Sequence, residues 1–327
     1  MTSKASGIDR ILTLELARVT ERGAVAAARL IGFGDEKAAD QAAVDAIRRE
    51  LNSLDIQGEV VIGEGERDEA PMLYIGEKVG TGKGPKVDIA LDPLEGTTLT
   101  AKGMGNALAV VAMAEAGSLL NAPDVYMEKI AIGDGYPDGT IDLDADPADN
   151  VRALAKAKGV DVSHITVCVL DRPRHASIIQ SIRDAGARVS LITDGDVAGV
   201  IHTTDPATGI DMYIGTGGAP EGVLAAAALC CIGGQMQGRL ILKEKEHQAR
   251  AKRMGITDLD RKYTAREMAS GDVVFSATGV TSGSLLDGIK RQGDTVWTDT
   301  LVMRSTTGTT RRIKAKHTNI SKFNLDD

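Results

Sequence analysis

The stretch Val87-Asp88-Ile89-Ala90-Leu91-Asp92-Pro93-Leu94-Glu95-Gly96-Thr97-Thr98 constrains the fold more than any other. The apolar run from Val87 to Leu91 predicts a buried strand, and an acid, a proline, a second acid, a glycine and two hydroxyls follow at once. Pro93 has no N–H to give a ladder, so strand pairing is expected to stop there. Gly96 lets the backbone approach a ligand closely, and Thr97 and Thr98 stand where a helix would begin. Such a strand–turn–helix edge holds Asp92 and Glu95 near each other beside a helix N-terminus. Two hard oxygen ligands in that position suit a divalent cation and the phosphate it neutralises. Asp, Pro, Gly and Thr are also ordinary turn residues, so the reading depends on support from the rest of the chain.

With 327 residues the chain can bury one large core or two smaller ones. Aromatics are only 3%, so Ala, Val, Ile and Leu must fill that core. A net charge of -8 argues against a general nucleic-acid binder, which needs a basic footprint. Any phosphate substrate must then be drawn in by local Arg, Lys or metal. Met1 to Gly23 carries scattered charges and no apolar core of a signal peptide. The longest apolar run, about Val223 to Ile232, is too short to span a bilayer. A cytoplasmic protein without membrane segments is the expectation. Cys168, Cys230 and Cys231 form neither a disulfide framework nor a Cys-x-x-Cys pair, and the scattered histidines offer no zinc site.

Periodicity predicts helices over Ile8 to Glu21, Glu36 to Leu54 and Pro147 to Lys158, the last capped by Asp146 with Pro147 at its first position. Strands are predicted at Glu59 to Ile62, Val87 to Leu91, Ala107 to Ala114 and Tyr126 to Ile132. A regular alternation follows: strand Ile165 to Leu170, helix His175 to Ala185, strand Arg188 to Ile192, helix Asp196 to Ile201, strand Ile210 to Ile214 and helix Pro220 to Ile232. Such βα units imply an α/β (α+β) protein with a parallel or mixed sheet. Further strands are predicted at Gln237 to Leu242, Asp272 to Ala277 and Thr295 to Arg304. A division near residue 160 would give an N-terminal α+β half, 1–160, and a C-terminal α/β half, 161–327.

Acids recur beside glycines. Glu64 lies in Val-Ile-Gly-Glu64-Gly-Glu past a strand, and Glu221 in Gly217-Gly218-Ala-Pro-Glu221-Gly opens a helix. Asp40 lies in an Ala-rich helix. Taken singly, each reads equally well as a helix-dipole acid or a solvated charge.

Taken together, they match one family. The segments Gly-Asp-x-x-Ala-Ala-Asp40, Val-Ile-Gly-Glu64-Gly-Glu, Asp68-Glu-Ala-Pro-Met-Leu, Asp92-Pro-Leu-Glu95-Gly-Thr97, Asn121-Ala-Pro-Asp-Val-Tyr126-Met-Glu-Lys, Arg172-Pro-Arg174-His, Asp194-Gly-Asp196-Val-Ala and Gly217-Gly218-Ala-Pro-Glu221-Gly run nearly the length of the chain. In these the sequence resembles class II fructose-1,6-bisphosphatase, within the lithium-sensitive, metal-dependent phosphatase superfamily. The resemblance implies a layered αβαβα sugar-phosphatase fold with mixed sheets. It implies Mg2+ or Mn2+ held by Asp40, Glu64, Asp92, Glu95, Glu221 and the Leu94 carbonyl, a donor set of oxygens alone. It implies substrate contacts from Glu95, Gly96, Thr97, Tyr126, Arg172, Pro173, Arg174, Asp194, Gly195, Asp196 and Gly218. Thr97, Glu64 and Asp68 are the candidates for positioning and activating water. Arg172 stands where other members have Lys, and Thr98 where some have a basic side chain.

The expected reaction is removal of the 1-phosphate of fructose 1,6-bisphosphate, in gluconeogenesis or carbon fixation, with sedoheptulose 1,7-bisphosphate as a related substrate. A homodimer or homotetramer is expected from the same resemblance. Another superfamily phosphatase, acting on inositol or nucleotide monophosphates, and a sugar-phosphate-binding regulator are the competing readings. Cys168 and Arg174 spell Cys-x5-Arg, but Cys168 falls inside an apolar strand. Gly215-Thr-Gly217 fails as a dinucleotide loop at Pro220, and Gly82-Lys83 fails as a Walker loop at Gly84.

Overall fold

The computed structural model describes residue 8, residues 10–65 and residues 72–323. In chain order it has α1 (Arg10–Ala28), α2 (Glu36–Leu51), β1 (Gln57–Ile62), β2 (Lys78–Val79), β3 (Lys86–Glu95), α3 (Thr97–Ala101) and β4 (Leu108–Glu115). Next come β5 (Tyr126–Ile132), α4 (Pro147–Lys158), β6 (Thr166–Leu170), α5 (Ala176–Asp184), β7 (Arg188–Ile192), α6 (Asp196–His202), β8 (Met212–Gly218) and α7 (Ala219–Ile232). The chain finishes with β9 (Gln235–Leu240), α8 (Lys245–Arg253), β10 (Tyr263–Thr264), α9 (Ala265–Met268), β11 (Val273–Gly279), β12 (Lys290–Gln292), β13 (Thr295–Arg304) and β14 (Thr309–His317).

Two compact units share these elements: residues 1–119 with 270–327, and residues 120–269. Residue 160, where the sequence places a boundary, lies inside the second. Each unit is mixed α/β around its own sheet. The first sheet runs β12-β13-β11-β4-β3-β1-β2, with β14 added beside β13; β1 and β3 are parallel and the other pairs antiparallel. The second runs β10-β9-β5-β8-β6-β7, parallel at β6–β7 and β6–β8 and antiparallel elsewhere.

In the first unit α1 and α2 pack on each other and on the sheet. Leu16, Val19, Ile47 and Leu51 meet Ile89, Val111, Met113 and Val302 in one buried cluster. α1 runs seven residues past Glu21, through Gly23. A Cβ at Gly23 would come within 2.7 Å of Ile47, so glycine lets the helices approach. α2 begins where its capping residue dictates, Asp35 accepting from the Ala38 N–H at 2.9 Å. In the second unit Ile130, Val151, Leu154, Val167, Val169 and Met212 form the core. α4 carries the anticipated Asp146 cap and ends on Gly159 at φ 71. Almost every face of α7 is buried, which its Ala-rich sequence permits.

Two differences from the sequence reading have plain causes. Strand pairing does not stop at Pro93. β3 continues to Glu95, and its register against β4 slips by one residue between Asp92 and Glu95. Pro93 sits in that bulge, where no ladder N–H is needed. β14 and α8 were not anticipated, because neither carries an apolar period. β14 is mostly exposed, with Arg311, Arg312, Lys314 and Lys316 along it, and α8 buries only Ala251.

Ile47 is fully buried at the α1–α2 crossing. Ile47→Ala is expected to cost about 2–5 kcal/mol, read as a lower midpoint for the first unit in denaturant or thermal unfolding.

Candidate active site

The candidate residues gather at strand-to-helix junctions. In the first unit β3 runs into α3. Asp92 is half-buried, and its Oδ1 accepts from the Leu94 N–H at 3.1 Å, closing the turn onto itself. Glu95 is buried, at 3% exposure. Gly96 takes φ 91 as the N-cap of α3, a conformation a β-carbon would strain. Thr97 is then the first helical residue, half-buried beside Thr98. Asp88 plays a different part. Its Oδ2 accepts the N–H groups of Gly117, Ser118 and Leu119 at 2.7, 2.9 and 3.2 Å, which secures the turn after β4.

Asp40 on α2 and Glu64 just after β1 are brought into side-chain hydrogen-bonding contact. Burial raises the Asp40 carboxyl above the usual carboxylate range, and the bond from Glu64 partly offsets this. Two carboxyl groups in contact require a shared proton or a cation. Among the described residues no three His, Cys, Asp or Glu side chains converge closely enough to hold a metal ion. Asp68 lies outside the described residues.

In the second unit two junctions carry candidates. After β7, Asp194 Oδ1 accepts from the Gly195 N–H at 3.2 Å, and Gly195 caps α6 at φ 87. Asp196, the first residue of α6, is buried; its Oδ2 accepts from Lys129 Nζ and from the Tyr213 hydroxyl, the latter at 3.3 Å. Lys129, 1% exposed, also donates to the Gly218 carbonyl at 2.9 Å. At the β8–α7 junction a Cβ on Gly217 would lie 2.3 Å from Asp196 Oδ2, and one on Gly218 would lie 1.9 Å from Glu221 Oε2. The Gly-Gly step is thus required by close approach to two carboxylates.

Residues 10–317 match the family model described as "Bacterial fructose-1,6-bisphosphatase, glpX-encoded". The sequence is 48% identical over 322 residues to "Fructose-1,6-bisphosphatase 1 class 2" of Escherichia coli K12, covering 94% of this chain and 95% of that one. The class 2 protein of Shigella flexneri matches to the same extent. The chain belongs to the glpX-type bacterial fructose-1,6-bisphosphatase family.

In this member Glu221 sits in the first turn of α7. The residue is half-buried overall, but Oε2 is closed off from solvent and has no hydrogen-bond partner among the described residues. Burial, reinforced by Asp196 and opposed by Lys129, pushes its carboxyl up to about 7. A cavity of about 640 Å3 opens here, lined by Tyr126, Arg174, Thr216, Gly218 and Glu221 among others. Arg174 Nε and Nη2 donate to the Thr216 carbonyl at 3.1 and 2.7 Å, and its guanidinium lies 4.9 Å from the Tyr126 ring centroid. Arg172 donates to the Asp171 carbonyl at 3.2 Å and caps the turn holding Pro173. Cys168 lies buried in β6 with its thiol pushed up to about 12 by burial, so it is no thiolate nucleophile.

The sequence reading passed over Lys129 and His175, although both stand in motifs it quotes. His175 is buried; Nε2 accepts the Thr216 N–H at 2.8 Å, and Nδ1 donates to the Leu170 carbonyl at 2.8 Å. It therefore fixes the strand end that holds Arg174. A buried histidine between a donor and an acceptor was not marked by any spacing.

Burial holds the His175 pKa below its ordinary 6.5, with the Arg174 and Arg172 charges adding to the depression. A depressed base contributes stability that is present above pH 6.5 and lost as pH falls through the folded pKa. The thermal midpoint is expected to fall below about pH 6.5, and His175→Gln should flatten that fall. His202 shifts in the same direction through burial, so some slope should remain.

Proposed function

We propose that this chain hydrolyses the 1-phosphate of fructose 1,6-bisphosphate, giving fructose 6-phosphate and inorganic phosphate, in gluconeogenesis or carbon fixation. The observation that carries the reading is the match to class 2 fructose-1,6-bisphosphatases over 94% of the chain. Asp40, Glu64, Asp92, Glu95, Glu221 and the Leu94 carbonyl would hold Mg2+ or Mn2+. The all-oxygen donor set suits those ions, and the Asp40–Glu64 contact is a place where a cation can take over from a shared proton. A divalent ion bound there supplies a lowered pKa for water and compensation for charge on the phosphoryl oxygens.

The protein groups have separate tasks. Thr97 orients the attacking water at the start of α3, with Glu64 and Asp68 as the acids that draw its proton. Gly96 and Gly218 admit the substrate close to the backbone. Arg172 and Arg174, with Pro173 and Tyr126 shaping the surroundings, grip phosphate oxygens through forked donors. Asp194 with Gly195, and Asp196 through its remaining Oδ1, accept from sugar hydroxyls. Among the described residues no helix is long and apolar enough to cross a membrane, in keeping with a cytoplasmic site of action. Assembly as a homodimer or homotetramer is part of the same proposal, and a monomer by light scattering would count against it.

The test is inorganic phosphate release from fructose 1,6-bisphosphate with Mg2+, with Mn2+ and with chelator. Release should require the metal. Asp92→Asn keeps the oxygen that accepts from the Leu94 N–H, so it should fold, yet lose about 100-fold or more in rate. No metal-dependent release from folded protein would overturn the reading and direct the assay to inositol and nucleotide monophosphates. Sedoheptulose 1,7-bisphosphate, one carbon longer, is the comparison that measures pocket tolerance.

A further inference from the structure

In the first unit, the outer face of β12, β13 and β14 carries a row of side chains that the proposed hydrolysis leaves unused. Lys290 stands opposite Trp297 across β12–β13, and Trp297 stands opposite Lys316 across β13–β14. Residues directly opposite on antiparallel strands share a face, so two lysines flank the only tryptophan of the chain. The adjacent residue Val296 is buried with Val25 and Phe323, which turns the Trp297 face outward. A cavity of about 670 Å3 opens there, lined by Lys290, Trp297, Asp299, Lys314 and Lys316 among others.

The charges of this cavity are unevenly spent. Its lining holds four cations, Lys290, Arg291, Lys314 and Lys316, against two acids, Asp287 and Asp299. Both acids already have partners. Lys314 Nζ meets Asp287 Oδ2 at 2.7 Å, and Arg312, which is not part of the lining, meets Asp299 Oδ2 at 2.6 Å. Lys290, Arg291 and Lys316 form no ion pair among the described residues. Arg291 Nε donates to the Gly293 carbonyl at 3.1 Å, and the Lys316 ammonium lies 5.7 Å from the Trp297 ring centroid. Three cations are thus left unanswered in a protein whose net charge is -8. Lysine stems alone can roof a tryptophan, but stems that sealed it would leave no cavity of this size against the ring.

We infer that this face is a second ligand site, which takes a nucleoside di- or triphosphate with its base on Trp297 and its phosphates on Lys290, Arg291 and Lys316. An aromatic platform stacks any flat base. The volume falls within the roughly 300–1,000 Å3 of small-molecule sites. Three unpaired cations suit a pyrophosphate ester better than a single phosphate of about -1.5 to -2 charges. None of the described residues assigned above to metal, water or sugar phosphate lines this cavity, so its ligand need not displace the substrate.

The sole tryptophan is its own reporter. The full chain is titrated with ADP in Mg2+ and excess fructose 6-phosphate while Trp297 emission is followed. Emission should fall saturably. Pyrophosphate and adenosine, each lacking one half of the ligand, should bind at least about 10-fold more weakly by calorimetry. Lys290→Gln with Lys316→Gln changes two exposed side chains, so the thermal midpoint should hold. ADP affinity in that double variant should fall roughly 10- to 100-fold, as for lost hydrogen bonds to a charged group. Constant emission up to millimolar ADP, or ADP binding that fructose 6-phosphate abolishes, would overturn the site. Pyrophosphate or adenosine binding as tightly as ADP would overturn the nucleotide assignment, and unchanged ADP affinity in the double variant would overturn the role of the lysines.

Discussion

The second unit is organised around a lysine that has no access to water. Lys129 projects from the middle of β5, 1% exposed, and its charge must be met inside the protein. Asp196 at the start of α6 and the Gly218 carbonyl at the end of β8 meet it. Three elements distant in sequence are thereby held to one geometry. Such a pair adds little net stability, because desolvation consumes most of the attraction, but removing either partner leaves a buried charge at a cost of about 3–5 kcal/mol. Its value is positional. The β8–α7 turn is pressed against the pair so closely that a Cβ at 217 would lie 2.3 Å from Asp196 Oδ2 and 3.0 Å from Lys129 Nζ, and that turn presents Glu221.

The first unit solves a similar problem without a lysine. β3 carries its acids through a one-residue bulge, and the Asp92 side chain ties the turn to the Leu94 N–H. Gly96 then reverses the chain into α3. In both units a glycine with a left-handed or sterically crowded backbone converts a strand end into a helix start, with an acid close to it in the chain. These junctions are the parts of the chain most visible in its sequence, since the glycines and acids are dictated by local geometry.

What the sequence showed least well depends on tertiary neighbours. β5 is legible to the residue because Tyr126–Ile132 is a compact β-prone run, and α4 because Asp146, Pro147 and Gly159 mark its ends. β14 is an edge strand whose alternation is Thr, Arg and Lys, protected by charge and offering no apolar signal. α1 seemed to end before Gly23, because a glycine inside a helix usually weakens it; the contact with Ile47 that justifies it lies on another helix. The motif acids were legible as a set, while their division of labour was not. Asp88 and Asp92 are four residues apart, yet Asp88 is spent on three backbone N–H groups and Asp92 holds a turn.

The same division separates Asp196 from Glu221, and Lys129 decides it. Both are acids in the first turn of a helix, buried near one another, and either could have taken the ammonium. The ammonium reaches Asp196 and the Gly218 carbonyl. Asp196 is thereby held in a fixed place by a direct partner, whereas Glu221 feels Lys129 only at a distance and Asp196 as a repelling neighbour. Its Oε2 is left buried without a hydrogen bond among the described residues. A native protein rarely leaves such an oxygen unsatisfied without a further use for it. An arrangement that neutralises one acid and withholds a partner from the other keeps the second available for a ligand, and it does so with a lysine that need not touch that ligand.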